Sequence, residues 1–209
     1  MSTVLVLTTS ALGDASVSSL LVKDALDRLK ARDHDLKVIA RDLGGTPVPH
    51  LTIDSATAIR GGTPANAAQT QAQALSDQLI AELKAADAVI IGAPMYNFGI
   101  ASTLKAWFDY VLRAGATFRY GETGPVGLVT GKRAIVIETR GGIYSDGPAK
   151  GFDSQEPHLR TMLGFIGITD VAFVRAEKLA FGADARQQAI DAARTQLGET
   201  LHKDYLRAA

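Results

Sequence analysis

Apolar residues in this chain follow two alternating spacings. Five short aliphatic or β-branched runs, Val4–Leu7, Leu36–Ala40, Ala88–Ile91, Ala134–Ile137 and Val171–Val174, have the length and composition of strands. Between them the apolar positions step by three and four. Leu21, Ala25 and Leu29 lie beside Val22 and Leu26, and Leu75, Leu79 and Leu83 beside Ile80; Ile100, Leu104, Trp107, Phe108 and Val111 form a third set, and Ile190, Ala193, Leu197 and Leu201 a fourth. Such spacing gathers side chains on one face of a helix. Strands that are apolar throughout, rather than at every second residue, are buried on both faces, as in a parallel sheet between helical layers. The pattern predicts one α/β domain over residues 1–209, a three-layer fold around a five-stranded parallel sheet of order 2-1-3-4-5.

Two stretches fall outside the alternation. Thr46–Asn66 carries Pro47, Pro49, Pro64, Gly61 and Gly62 and reads as an extended excursion rather than regular structure. Phe118–Lys132, with Tyr120, Gly121, Gly124, Pro125, Gly127 and Gly131, reads as a hairpin-like insertion before the fourth strand, of the kind used as a lid or subunit contact.

Composition then removes whole classes of function. Lys and Arg number 22 against 22 Asp and Glu, so the basic surface of a nucleic-acid binder is not expected and a small-molecule ligand is. Without cysteine there is no disulfide, thiolate nucleophile or thiolate metal site. His34, His50, His158 and His202 are too scattered to read as metal ligands, so no metal is expected. The run Val4–Leu7 is too short to span a bilayer and lacks the flanks of a secretion signal, so a cytoplasmic protein is expected.

Candidate chemistry lies in the loops after the first, third and fourth strands, whose carboxyl ends converge at one crevice in this topology. Thr8–Ser19 ends at a predicted helix N-terminus. Its hydroxyls and backbone N–H groups suit a phosphate held by neutral donors, and Ser16 or Ser18 also suits a simple helix cap. It contains neither G-x-G-x-x-G nor G-x-x-x-x-G-K-[ST], which disfavours a dinucleotide fold and a P-loop. Gly92–Gly99 presents Met95, Tyr96, Asn97 and Phe98. Such residues either pack into the core or offer a flat ring apolar surface together with an amide partner. Thr139–Tyr144 contains Arg140, Gly141 and Gly142, where a ring can approach backbone closely, so a Val at Gly141 is expected to crowd it.

These motifs resemble the FMN-dependent NADH-azoreductases, also called NADH:quinone oxidoreductases, a branch of the flavodoxin-like superfamily. The resemblance rests on S-x5-S-x-S at Ser10, Ser16 and Ser18, A-P-M-Y-N-F at Ala93–Phe98 and R-A-G-x-T-F-R-Y at Arg113–Tyr120. It continues in G-L-V-T-G-K at Gly127–Lys132, R-G-G-I at Arg140–Ile143 and L-G-F-I-G-I-T-D at Leu163–Asp170. It implies non-covalent FMN with Ser10, Ser16, Val17 and Ser18 around the phosphate, Met95, Tyr96, Asn97 and Phe98 along the ring, and Thr139, Arg140, Gly141 and Gly142 at its other edge. It further implies NADH or NADPH as donor, quinones and azo compounds as acceptors in a shared pocket, and no catalytic acid or base. Phe98, Tyr120, Tyr144 and Phe165 would line the substrate site, Arg60 would either meet the nucleotide phosphates or be a solvated loop arginine, and a homodimer would place the active sites at its interface. The family commonly has Ser where this chain has Thr139, and some relatives have His in place of Tyr144. The competing reading is a flavodoxin-type electron carrier, which is usually shorter and more acidic; a non-flavin module on the same fold is a third.

Overall fold

The computed structural model describes residues 2–201, and the apolar runs are its strands. Strands β1 (Thr3–Thr8), β2 (Lys37–Asp42), β3 (Ala88–Pro94), β6 (Arg133–Thr139) and β7 (Asp170–Ala176) form one parallel sheet in the order β2-β1-β3-β6-β7. Counting only these five gives 2-1-3-4-5, as expected. Every residue of β3 is buried because β1 and β6 flank it and helices cover both faces. The hairpin expected before the fourth main strand is present as β4 (Phe118–Gly121) paired antiparallel with β5 (Gly124–Gly127).

Among the described residues six α-helices complete the layers: α1 (Val17–Lys30), α2 (Ile53–Ile59), α3 (Ala67–Ala85), α4 (Ser102–Val111), α5 (Glu156–Ile166) and α6 (Ala183–Thr200). One apolar cluster joins Leu79, Leu83, Leu104, Trp107, Leu159 and Ile166 to the sheet, and a second joins Leu21, Ala25, Ile190 and Leu197 to its other face. No helix among the described residues is long and apolar enough to cross a membrane.

The Pro/Gly-rich excursion is more ordered than expected, since it contains α2. Thr52 accepts from the Ser55 N–H at 3.2 Å while Ser55 accepts from the Thr52 N–H at 2.7 Å, a capping box that starts a helix only seven residues long. The hairpin docks through glycine. A Cβ on Gly127 would lie 2.2 Å from the Gly167 nitrogen, so only glycine allows β5 to lie against the end of α5.

Candidate functional site

The first loop leads into α1, whose N-cap Ser16 accepts from the Ser18 N–H at 3.2 Å and shares a 2.8 Å hydroxyl hydrogen bond with Ser18. The cap reading and the anion reading are therefore compatible. Ser16 satisfies one donor of the first turn, while the N–H groups of Val17 and Ser19 have no partner among the described residues. Ser10, Ser16, Val17 and Ser18 are all buried around this point, and the first turn of α1 carries no acidic side chain to repel an anion.

Tyr96 ties this loop to the second. Its hydroxyl accepts from the Ala11 N–H at 3.0 Å and lies 3.3 Å from Ser10 Oγ. The second loop is a two-residue hairpin turn in which Tyr96 and Gly99 exchange backbone hydrogen bonds of 3.0 and 3.1 Å. Asn97 and Phe98 both have positive φ, 46° and 72°. Asn tolerates this conformation, whereas for Phe it costs on the order of 1–2 kcal/mol. That strained backbone leaves the Phe98 side chain 48% exposed instead of packed in the core.

The third loop joins the second where the Met95 N–H donates to the Thr139 carbonyl at 2.9 Å. Beyond Thr139 its carbonyls are turned inward. The N–H groups of Leu179, Ala180 and Lys178 donate to the carbonyls of Arg140, Gly141 and Gly142 at 3.2, 3.1 and 3.0 Å. Lys178 reaches its place with φ of 63°, at a tight turn after β7. Because a trans peptide sets C=O and N–H in opposite directions, the N–H groups of Gly141, Gly142 and Ile143 point away from residues 178–180. They have no partner among the described residues, and three such groups in sequence make a concavity suited to an electron-rich edge.

Phe98 meets Tyr144 edge-on, with centroids 6.0 Å apart, and Phe152 at 5.7 Å. Phe152 belongs to a 3-10 turn at Lys150–Phe152 and is not signalled by the sequence; a lone Phe among Gly, Pro and Ser gives no periodic pattern. On the hairpin side, Phe118 packs on Tyr120 and Phe165, with centroids 5.6 and 4.5 Å apart. Among the described residues no ring contact joins the two groups. Tyr120 and Phe165 are thus together, apart from Phe98 and Tyr144. Arg60 is the exposed C-cap of α2 and makes no ion pair among the described residues. His34 and His50 are exposed, His158 is half-buried, and His202 lies outside the described residues.

Two features of the third loop go beyond what its sequence indicates. The Arg140 guanidinium does not reach the crevice; it is fully buried. Its Nη2 lies 2.7 Å from Glu138 and 3.0 Å from Asp153, its Nη1 is 3.2 Å from Glu177, and its Nε donates to Gln155 Oε1 at 2.9 Å. Paired carboxylates inside the fold hold it more strongly than solvent at the rim would. The second concerns the glycines. A Cβ on Gly141 would make an ordinary 3.5 Å contact with Ala180, whereas one on Gly142 would come 3.1 Å from the Tyr144 ring. Gly142→Ala is therefore expected to push that ring by a few tenths of an ångström, visible as altered ring-current shifts at Phe98. Unchanged shifts would mean that Gly142 does not set the ring's position.

Burial pushes the Glu138 carboxyl up to about 8, against the opposing pull of Arg140. Glu177 goes the other way. Although burial works against it, hydrogen bonds from Ser145, the Tyr144 N–H and Arg140 hold it below the usual carboxylate range.

A family model described as flavodoxin-like fold matches residues 2–201. An FMN-dependent NADH:quinone oxidoreductase of Hyphomonas neptunium is 52% identical over 199 residues, covering 95% of each chain. The crystal structure of an azoreductase from Bacillus anthracis Sterne superposes with a TM-score of 0.86 at 28% identity, covering 96% of this chain and 98% of that one. An FMN-dependent NADH-azoreductase from Bacillus anthracis Ames Ancestor, solved in complex with FMN, superposes with a TM-score of 0.85 at 26% identity, covering 95% and 99%.

Proposed function

This chain belongs to the flavodoxin-like fold family, and on that premise we propose that it is an FMN-dependent oxidoreductase that carries electrons from NADH to quinones and aromatic azo compounds. The observation that carries the reading is the pair of backbone donor sets without partners among the described residues, Val17 and Ser19 at a helix N-terminus and Gly141, Gly142 and Ile143 beyond β6, in loops that the second loop joins through Tyr96 and Met95. A group with a phosphate at one end and an electron-rich planar ring at the other fits that arrangement.

Ser10, Ser16, Val17 and Ser18 would hold the phosphate, helped by the dipole of α1 and by neutral donors alone. Met95, Tyr96, Asn97 and Phe98 would lie along the ring, and Thr139 to Gly142 would meet its polar edge through backbone. For Arg140 this role falls to the main chain. When bound, FMN would supply two-electron redox chemistry between a nicotinamide and the acceptor, and one pocket shared by the two would make the kinetics ping-pong. Phe98, Tyr144 and Phe152 would stack the flat donor and acceptor in turn, while Arg60 would meet the nucleotide phosphates. No side chain is assigned the role of acid or base.

The hairpin supports a homodimer within the same reading. Tyr120 is 74% exposed, and Val126 and Leu128 are also exposed apolar side chains, an apolar edge suited to a second copy that would bring Tyr120 and Phe165 to the partner's crevice. The test is to titrate the purified chain with FMN by absorbance, then follow NADH oxidation at several fixed quinone concentrations. A perturbed flavin spectrum with parallel double-reciprocal lines is expected. Absence of flavin binding overturns the reading, and binding without NADH turnover points to an electron carrier instead.

A further inference from the structure

The carboxylate of Glu177 lies just past β7, outside every motif of the site, yet it touches the site's wall at two consecutive residues. Its Oε1 accepts from the Tyr144 N–H at 2.8 Å, the Ser145 N–H at 2.9 Å and Arg140 Nη1 at 3.2 Å, and its Oε2 accepts from Ser145 Oγ at 2.5 Å. Charge-assisted bonds to backbone are among the stronger and more directional in proteins. The Glu177 side chain is only 13% exposed, and its bonds to the Tyr144 N–H and to Arg140 are half-buried, whereas Ser145 is exposed.

No strand or helix restrains residues 143–146. The neighbouring chain contacts, from Lys178, Leu179 and Ala180, reach only as far as the Gly142 carbonyl. From there to the edge-on contact between Tyr144 and Phe98, the backbone N–H bonds that fix the loop among the described residues are the two that end on Glu177. The carboxylate is itself fixed from behind by the buried Arg140, so the loop is anchored to the interior of the sheet rather than to the surface.

We infer that Glu177 is a positioning residue that holds Tyr144 in the wall of the aromatic crevice by clamping the Tyr144 and Ser145 amides to the Arg140 guanidinium. The clamp rests on the geometry of the flavin-free chain, and its consequence for substrate rests on the oxidoreductase reading. With the carboxylate removed, Tyr144 loses its fixed angle to Phe98, and a flat acceptor meets a wall that must be ordered on binding. That loss falls on acceptor affinity more than on turnover at saturation.

The experiment is amide hydrogen exchange by NMR on the flavin-free chain, comparing the natural protein with Glu177→Ala, Glu177→Gln and Ser145→Ala. Glu177→Ala is expected to speed exchange at Tyr144 and Ser145 by roughly tenfold or more relative to the β3 amides, in line with the loss of a charge-assisted hydrogen bond. Glu177→Gln, which keeps an oxygen for the two N–H groups, should recover much of the protection. Ser145→Ala, which removes a single bond, tests the clamp even if Glu177→Ala fails to fold, and should speed exchange at Ser145 by a few-fold. In the FMN-loaded protein, Glu177→Ala should raise KM for a quinone by roughly tenfold with kcat changed less than about threefold. Unchanged exchange at both amides, with KM and kcat altered together or not at all, would overturn the clamp. Faster exchange in a chain that binds no flavin would leave the clamp standing and remove the oxidoreductase reading, so the two fail separately.

Discussion

Glu138→Gln is expected to stabilise the protein by an amount that grows with pH, close to nothing near pH 4.5 and largest above about pH 8. Glu138 is completely buried on β6, and one of its oxygens, Oε1, has no hydrogen-bond partner among the described residues. Around it stand Arg140 on the loop after its own strand, Arg175 opposite it on β7, Asp153 before α5 and Glu156 within α5. With Arg160 and Glu177, which complete the network, four carboxylates face three guanidinium groups. The excess negative charge falls on the carboxylate with the least access to water, and burial pushes its pKa up to about 8. In the unfolded chain the group ionises near 4.5, so between those values the folded state binds one more proton. Stability contributed by the protonated form is complete below about 4.5 and is lost as pH rises to about 8. Each pH unit in that window contributes about 1.4 kcal/mol, so the full span would be worth up to about 5 kcal/mol.

Gln reproduces the protonated acid, offering a carbonyl to Arg140 and N–H where the acid has O–H, and it does not ionise. The depressed carboxylates Glu156 and Glu177 contribute in the opposite sense, losing stability as the medium is acidified, but they do so in both proteins and cancel in the difference. The measurement is urea unfolding of both proteins from about pH 5 to 9. A difference independent of pH would show that Glu138 keeps the same charge throughout.

The same residues mark how far the sequence alone reveals this fold and site. The five main strands are legible because each is continuously apolar, and burial on both sides of a parallel sheet requires that. The convergence of the three loops follows from strand order. The direction in which each loop side chain points does not, because at the last residue of a strand alternation no longer decides between crevice and interior. Arg140 reads only as a member of a glycine-containing loop, and its inward turn depends on Glu138, Asp153, Gln155 and Glu177, which lie up to 37 residues away along the chain. Helix α2 is hidden among prolines because its capping box ends in Ser55 rather than the Glu or Gln that usually signals one. Phe98 gives no hint of its left-handed backbone, which its residue type disfavours and its neighbours impose. Local pattern thus reports elements, and long-range charge pairing fixes the loops between them.

Arg140→Met has the opposite effect in this network, with an expected loss of about 3–5 kcal/mol near neutral pH, the range for removing one partner of a buried ion pair. Met fills most of the volume but leaves Glu138, Asp153 and Glu177 facing one another without the guanidinium between them. Lys would not rescue the site, because a single ammonium cannot supply the divergent donors that reach Glu138, Asp153, Glu177 and Gln155 together. The Gln155 contact extends the effect beyond the third loop. Its Nε2 donates to the Ala93 carbonyl at 2.7 Å, directly before Pro94 and Met95, so Arg140 braces the second loop as well as its own. FMN affinity should therefore fall along with stability, although the guanidinium faces away from the crevice. Acidification should narrow the gap, because protonation of the abandoned carboxylates removes their mutual repulsion. In the double variant Glu138→Gln with Arg140→Met, measured above about pH 8 where Glu138 carries its charge, the two changes should be non-additive, with part of the loss recovered because one unpaired charge is gone. Denaturant unfolding of the four proteins in that cycle, with FMN titration of each, measures both effects. Additive losses, or a loss under about 1 kcal/mol for Arg140→Met, would show that the two residues do not share one charge network.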